Sequence, residues 1–322
     1  MNKNSSNLSG VAATPLQLLS PAKQRELSAW IATTLIISFF GVLNNILTLR
    51  VIWSVKLRKP GVSLLIFHFV AVNLLMCLVT LPTAILVVMG KRDGWFMIAG
   101  NSCSYFAVLY TINVSVVNWS DAGLAANRLV ALYLPHRYRA WTRPAVSLAI
   151  ILCCWLICVV IALPFTLSAG GQGTVRSGLG MCNITPRGRF GDFLLSTHTY
   201  VPYAISGIGS LLILWKFFSV SRLRNGDVAP YRTGHVVARH RMRTQRRLNM
   251  AKIVLLNFLW SVVCAFPGYV INSAFAFLYY KDPVGVLWVR TSAACQYVFT
   301  PCIFLLSNPE YQRRLRGLVN RR

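Results

Sequence analysis

Acidic residues are scarce in this sequence. Seven Asp and Glu stand against 33 Lys and Arg in 322 residues, which gives a formal net charge of +26. Charged residues of either sign make up only 12% of the chain, whereas hydrophobic residues make up 55%. A disordered basic tail would be polar throughout, and a soluble nucleic-acid-binding protein would carry more charge. The composition therefore indicates a membrane protein whose basic residues lie outside long apolar segments.

Further absences narrow the function. The five His and seven acidic residues are scattered, without a metal-binding cluster, a catalytic dyad or a phosphate-binding loop, so we expect neither an enzyme nor a cofactor. The sequence has no internal repeat, which argues against a transporter built of repeated halves. Only Asp121 lies deep in an apolar stretch, whereas a transporter or channel needs several charges along its path.

The apolar segments are long and uncharged. Seven stretches contain no Asp, Glu, Lys or Arg, and each is long enough for a transmembrane helix, which needs about 20 residues. They are Trp30–Leu49, Gly61–Gly90, Gly94–Ser120, Pro144–Val175, Phe193–Trp215, Ile253–Tyr280 and Thr291–Pro309. We predict an all-α membrane protein, a seven-transmembrane helix bundle with a short amphipathic eighth helix.

Basic residues are divided unevenly between the connections. If the N-terminus is outside, most Lys and Arg fall in the inner loops and the tail, and the third inner loop, about 221–245, is rich in Arg. This bias predicts a multi-pass protein of the plasma membrane with an extracellular N-terminus and a cytoplasmic C-terminus. We expect the Arg-rich loop to contact acidic membrane lipids and no nucleic acid.

The predicted spans divide the chain into three parts. Residues 1–28 form an extracellular tail, residues 29–307 form the seven-transmembrane domain, and residues 308–322 form an amphipathic helix with a short cytoplasmic tail. In the last part Tyr311, Leu315 and Leu318 recur at helical spacing beside Arg313 and Arg314. Such a helix would lie along the inner leaflet.

Two of the nine cysteines differ from the others in position. Cys103 and Cys182 fall near the outer ends of their stretches, on the oxidising side, whereas the others fall inside the apolar stretches. We therefore predict a disulfide between Cys103 and Cys182. The Asn-x-Ser/Thr motifs at Asn4, Asn7 and Asn183 are also predicted outside and are candidate glycosylation sites. The second outer loop, about 168–192, is rich in glycine.

A set of markers recurs in order along the stretches, over about Gly41–Leu315. In chain order they are Asn45, Asn73, Pro82, Trp95, Cys103, Asn127-Arg128-Leu129, Pro135-His136-Arg137-Tyr138, Trp155, Pro164, Pro202, Cys264-Ala265-Phe266-Pro267, Thr300-Pro301-Cys302-Ile303-Phe304 and Tyr311. Each marker is weak alone. With the ordered set, the chain resembles a divergent rhodopsin-like (class A) G-protein-coupled receptor.

The resemblance implies roles for particular residues. It implies that Arg128 contacts a heterotrimeric G protein, with Pro135, Arg137 and Tyr138 in the adjoining segment. The alternative is that Arg128 is one more positive-inside arginine. The residues expected in the activation network are Asn45, Asn73, Asp121, Asn127, Pro267, Thr300, Pro301 and Phe304.

Departures from the family pattern bear on activation. The family's Asp in span 2 is Asn73, and the acid before the span 3 arginine is Asn127, which cannot form an ion pair with Arg128. We therefore expect a less restrained resting state and raised basal signalling. The other departures are Leu129, Ser210, Ala265, Thr300 and Phe304, where the family has tyrosine, tyrosine, tryptophan, asparagine and tyrosine.

Asp121 shares one face of span 3 with Tyr110 and Arg128, because their spacings return to nearly the same azimuth at about 100° per residue. We expect Asp121 to lie near Asn73 and Thr300 and to act as a switch that binds a cation or gains a proton. The alternative is a structural hydrogen bond to a neighbouring polar side chain. Asn73 would complete a polar network with Asn45 and Thr300.

The class of ligand that the outer pocket binds can be narrowed by exclusion. Tyr110 stands where aminergic receptors have an aspartate, so the ligand is not an amine, and span 7 has no lysine to link retinal. Arg290 favours an anionic ligand group, although it could also snorkel or pair with Asp282. The family geometry adds Tyr269 and Asn272 to Tyr110 and Arg290 as candidate pocket residues.

These observations predict a receptor that binds an extracellular ligand and activates a cytosolic G protein by a helix rearrangement. A receptor-like membrane protein that does not signal is the main alternative, because several activation motifs are altered. A transporter is a weaker alternative.

Overall fold

The structure is a computed structural model that describes residues 20–55, 60–93, 100–134, 136–175, 179, 182–226, 253, 255–271, 274–275, 277–307 and 309–319. Among the predicted site residues, Asn4, Asn7, Pro135 and Asn272 lie outside these ranges. The described part is almost entirely helical, with one two-stranded hairpin.

Seven helical segments correspond to the predicted spans. They are α1 (Pro21–Val55), α2 (Pro60–Leu75) continued by α3 (Leu81–Asp93), α4 (Gly100–Tyr133), α6 (Pro144–Thr166), α7 (Gly188–Gly226), α8 (Leu255–Ile271) and α10 (Pro283–Ser307). The shorter helices are α5 (Tyr138–Trp141), α9 (Leu278–Lys281) and α11 (Pro309–Val319). The strands are β1 (Gly171–Val175) and β2 (Cys182–Pro186).

Membrane-spanning character is strongest in four of these segments. Within the described ranges, Pro21–Trp53, Gly61–Gly90, Pro144–Thr166 and Pro283–Ser307 are long and apolar enough to cross a bilayer, and Leu255–Ile271 is a shorter apolar helix. In α6, Leu152, Leu156 and Leu163 are exposed on the bundle surface. Apolar side chains on an outer face suit contact with lipid tails rather than water.

The bundle is organised around α4. It packs against α2, α6, α7 and the hairpin, while α1 packs along α10. Interhelical side-chain contacts bring α8 into the bundle, because Asn257 bonds to α4 and Tyr269 stacks on Tyr203 of α7. The end of the bundle at Cys103 is called here the disulfide end. The end that carries α11 lies opposite it.

A single π-helical turn, Met76–Thr80, joins α2 to α3. Pro82 follows it and lacks a backbone N–H, and a π turn is a common way to accommodate such an interruption. The hydroxyl of Ser38 donates to the Cys77 carbonyl oxygen, and Asn113 Nδ2 donates to Thr80 Oγ1 at 3.1 Å. Polar side chains of neighbouring helices therefore bond at the irregular turn.

The helix α11 is amphipathic, as the sequence predicts. Tyr311 is buried and packs with Leu315 against the main apolar core, whereas Arg313 and Arg316 are exposed. Two boundaries differ from the sequence-based expectation. The supposed glycine-rich loop at 168–192 contains the β1–β2 hairpin, and α7 continues to Gly226, into the predicted third inner loop.

The start of α1 is tied to the corner between α9 and α10. Lys23 Nζ lies 2.8 Å from Glu26 Oε2 and 2.9 Å from Asp282 Oδ1, with side-chain exposures of 39% for Lys23 and 43% for Asp282. The Lys23 ammonium, helped by the Gly285 N–H, holds the pKa of Asp282 below its usual value of 3.8. Exposed ion pairs of this kind contribute little to the free energy of unfolding.

Replacing Lys23 with Gln should lower the free energy of unfolding at pH 7 by at most about 0.5 kcal/mol, because solvent screens both partners. A carboxylate with a depressed pKa stabilises the fold above its unfolded-state pKa, and this contribution is lost as the pH falls below about 4. Thermal unfolding of the purified wild type and variant, at pH 7 and again well below about pH 4, measures this contribution. Lys281→Gln is the matched control, and an equal effect of the two substitutions would contradict the assignment.

Candidate functional site

The β1–β2 hairpin lies across the disulfide end of α4. Its strands pair antiparallel, with Gly173 opposite Ile184, and Cys182 is bonded to Cys103 of α4, which confirms the predicted disulfide. The Gly173 N–H donates to Ser104 Oγ at 3.3 Å, and a side chain at Gly173 would collide with the Ser104 backbone. Glycine therefore lets the hairpin touch α4, and Cys182 of the hairpin lies in the walls of two cavities.

The first cavity, called here the polar cavity, has a volume of about 950 Å³ and lies between α4, β2, α7, α8 and α10. Its polar wall includes Asn183, His198, Thr199, Tyr203 and Gln296. His198 is only 6% exposed, and its Nδ1 has no hydrogen-bond partner among the described residues. Buried polar atoms without partners are costly unless a ligand or water satisfies them.

The second cavity, called here the apolar cavity, has a volume of about 500 Å³ and lies between α1, α3, α4 and α10. Most of its wall is apolar and includes Ala84, Val87, Phe106, Leu287 and Ala294.

Polar atoms in the wall of the apolar cavity bond to one another. Trp30 Nε1 donates to the Leu287 carbonyl oxygen at 3.1 Å and to Thr291 Oγ1 at 2.8 Å. The Thr34 and Thr291 hydroxyls lie 3.1 Å apart. These bonds leave an apolar surface toward the cavity.

Arg290 and Tyr110 stand in the walls of both cavities. The Arg290 guanidinium lies over the Tyr110 ring, 5.4 Å from its centroid, and donates to Asn183 Oδ1. The sequence left open that Arg290 pairs with Asp282. The structure instead pairs Asp282 with Lys23. Of the predicted pocket residues, Tyr110, Tyr269 and Arg290 are thus brought together.

Asn183, a predicted glycosylation site, lies in the wall of the polar cavity. Its Oδ1 accepts from Arg290, and its Nδ2 is buried without a hydrogen-bond partner in the described part of the chain. An N-linked glycan is attached to that nitrogen, which is enclosed at the polar cavity. Glycosylation of Asn183 stays a prediction.

Asp121 lies where α4 meets α7 and α8. The residue is 8% exposed, and its carboxylate accepts from Asn257 Nδ2 at 2.6 Å and lies beside Ser206. The sequence placed Asp121 near Asn73 and Thr300. In the structure Asp121 instead lies at the contact between three helices, α4, α7 and α8.

The expected network of Asn45, Asn73 and Thr300 is not formed by direct side-chain bonds. Asn45 Nδ2 donates to the carbonyl oxygens of Gly41 and Tyr297, at 2.8 and 3.2 Å. Asn73 Nδ2 donates to Phe69, at 2.9 Å. The Asn73 Oδ1 and Thr300 Oγ1 atoms are buried and lack partners among the residues that the structure describes. Asn45 instead holds α1 against α10.

Arg128 lies near the α11 end of α4. Its side chain is 9% exposed, and the adjacent Asn127 is 1% exposed. Neither an ion pair nor a hydrogen bond to Arg128 is formed in the described ranges. Tyr138 packs against the apolar core, whereas Arg137 is exposed. The region thus presents basic groups without an acidic restraint from Asn127.

The remaining predicted network residues lie in α8 and α10. Phe304 packs edge-on against Phe69, with ring centroids 5.9 Å apart. Pro301 is buried inside α10, and Pro267 is exposed in α8.

Sequence reasoning missed Asn257, Ser206 and His198. The signal available was the presence of an amide and an imidazole in otherwise apolar stretches, because such groups usually face a partner inside the bundle. Which partner they face depends on long-range packing.

Comparisons with known proteins agree with the geometry. A profile for the 7 transmembrane receptor (rhodopsin family) matches residues 44–306. G-protein coupled receptor 26 of Mus musculus is 25% identical over 295 residues, covering 86% of each chain, and that of Rattus norvegicus gives the same values. The violet-sensitive opsin of Xenopus laevis is 28% identical over 122 residues, which cover 38% of this chain and 34% of the opsin.

Proposed function

Since the chain belongs to the rhodopsin family of seven-transmembrane receptors, we propose that it binds an extracellular ligand and activates a cytosolic heterotrimeric G protein. One observation carries this proposal. A cavity of about 950 Å³ with unpartnered polar groups lies at the disulfide end, while Arg128 lies at the opposite end of the same helix, α4. A family member so built can couple occupancy at one end to a helix rearrangement at the other.

The proposed orientation puts the N-terminus outside the cell and the C-terminus in the cytoplasm of the plasma membrane. The excess of Lys and Arg in the connections near Arg128 supports this orientation, as does a disulfide at the other end. Asn4 and Asn7 would then be extracellular glycosylation sites, and the exposed Arg313 and Arg316 of α11 would meet acidic lipid headgroups.

The proposed ligand carries an anionic group. Arg290 is the charged residue in the wall of the polar cavity as the structure describes it, and an aromatic ring and a neutral amide face it. A carboxylate or phosphate can accept two parallel hydrogen bonds from a guanidinium. An amine would be repelled, and α10 has no lysine to link retinal.

Activation is proposed to involve a rearrangement of α8 relative to α4. Arg128 and the adjoining Pro135, Arg137 and Tyr138 would contact the G protein. The Asp121–Asn257 hydrogen bond is proposed to tie α8 to α4 at rest. Because Asn127 supplies no negative charge, this tie would be a larger part of the restraint than in a receptor with an acid there. Basal signalling should therefore be measurable.

Recruitment of each G-protein class to the inner face of cells that express the chain tests the proposal. We expect basal recruitment of at least one class, reduced about 30-fold by Arg128→Ala, because losing a central interface arginine costs about 2 kcal/mol. Asn127→Asp should lower basal recruitment by restoring an acid beside Arg128.

The matched control is Arg143→Ala, which removes an exposed arginine at the start of α6. We expect it to leave recruitment unchanged. Absence of recruitment of every class, with normal surface expression, would favour the receptor-like protein that does not signal.

A further inference from the structure

The polar and apolar cavities meet at Arg290. We infer that the ligand is an anionic amphiphile, whose anionic group binds Arg290 and whose hydrocarbon chain occupies the apolar cavity. The inference rests on the proposed receptor function and deepens it by giving the chemical class of the ligand. Three features of the described residues carry it: the charge at the junction, the mostly apolar wall of the apolar cavity, and the unpartnered atoms of the polar cavity.

The charge at the junction is uncompensated. Neither cavity has an acidic residue in its described wall, and Asp282, immediately before α10, is paired with Lys23. Arg290 is half-buried and, among the described residues, donates one hydrogen bond, to Asn183 Oδ1, whereas a guanidinium has five N–H donors. A partly buried cation with free donors favours an anion, which pairs with its charge and accepts from its planar fork.

The apolar cavity favours a hydrocarbon chain. The Thr34 and Thr291 hydroxyls and the Trp30 indole bond to one another or to a backbone carbonyl, so they offer little to a polar ligand. Apart from Arg290, Tyr110 and Cys182, the remaining wall consists of aliphatic side chains and Phe106. Burial of methylene groups there would be favourable.

The polar cavity offers the opposite environment on the other side of Arg290. His198 Nδ1 and Asn183 Nδ2 are buried and lack hydrogen-bond partners in the part of the chain that the structure describes. These atoms can bond to oxygen atoms of a headgroup. A ligand with its anion at Arg290, polar atoms on one side and a chain on the other therefore matches both walls.

Carboxylates and phosphate monoesters share the chemistry that Arg290 recognises. Two homologous probe series distinguish them: straight-chain fatty acids and alkyl phosphates, each from short to long chains. Primary alcohols and amines of equal length serve as controls, because they partition into lipid with chain length but carry no negative charge.

Binding is measured by thermal stabilisation of the purified full-length protein in lipid nanodiscs. We expect affinity for the better anionic series to rise about fourfold per methylene until the cavity is filled, and then to level off. At the optimal length the anion should bind at least about tenfold more tightly than the matched alcohol.

Two substitutions separate the head from the chain. Arg290→Gln should remove the preference for the anion over the alcohol, and Ala84→Leu should shorten the chain at which affinity levels off. The matched control for charge is Arg189→Gln, which alters an exposed arginine outside both cavities. Monodisperse purification and retained surface expression show that each variant folds.

Equal binding of anions and alcohols, or an anion preference that survives Arg290→Gln, would overturn the inference. So would an optimal chain length that Ala84→Leu leaves unchanged. Failure of the proposed function looks different: the wild-type protein would bind the anionic series through Arg290 but recruit no G protein. Recruitment without selective anion binding would leave the receptor function intact and refute the ligand class.

Discussion

Replacing Cys103 with serine is expected to lower the free energy of unfolding by about 4 kcal/mol and to remove most of the protein from the cell surface. The bond links residues 79 positions apart, and a cross-link over such a long loop strongly restricts the unfolded chain. It also fixes β2 against α4, where the hairpin contributes Asn183 to the polar cavity. Ligand binding should therefore fall with stability.

The measurement is thermal and chemical unfolding of the purified protein, combined with surface labelling in cells. Cys182→Ser should give the same loss, because either substitution breaks the one bond. Cys153→Ser is the matched control, since Cys153 is a free, exposed cysteine in α6, and it should behave as the wild type. A Cys103→Ser protein within about 1 kcal/mol of wild type would contradict the expected contribution.

The second large effect is expected at Asp121. Removing its carboxylate by Asp121→Ala leaves Asn257 without its acceptor in the buried centre of the bundle. We expect basal G-protein recruitment to rise about tenfold, because a weakening of the resting state by about 1.4 kcal/mol shifts the population by that factor. Asp121→Asn should have a smaller effect, since an amide oxygen can still accept from Asn257.

A double-mutant cycle tests the contact itself. Asp121→Ala, Asn257→Ala and the double substitution should show a coupling of about 1–2 kcal/mol in unfolding, the upper range for hydrogen bonds between membrane helices. Ser210→Ala is the control, because the Ser210 hydroxyl is buried without a partner among the described residues and its loss should be nearly neutral. Additive single effects would show that Asp121 and Asn257 act separately.

The sequence contained enough to locate the ends of the bundle and part of the cavity. Family geometry predicted Tyr110 and Tyr269 in the pocket, the position and charge of Arg290 added that residue, and the structure places all three around the polar cavity. Helical spacing also predicted that Asp121 and Arg128 share a face of α4, and both are buried. These predictions depend on local periodicity and on an ordered set of markers.

Predictions that depended on the contacts between particular helices were less successful. The spacing of Asp121 fixes its azimuth on α4 but leaves its neighbours open, and the carboxylate turned out to face α7 and α8 rather than Asn73 and Thr300. The β1–β2 hairpin was missed because its glycine-rich strands show no alternating pattern. Its register is tied to the disulfide and to close contact between Gly173 and α4.

The π turn at Met76–Thr80 has a consequence for comparison between family members. A π turn holds one more residue than an α-helical turn, so every position of α3 is rotated relative to α2 by that extra residue. Ala84, Val87 and Val88, which line the apolar cavity, owe their inward direction to it. A relative whose second span is an unbroken α-helix therefore aligns correctly with this chain only if a gap of one residue is opened within 76–80. An ungapped alignment would equate cavity residues here with lipid-facing residues there.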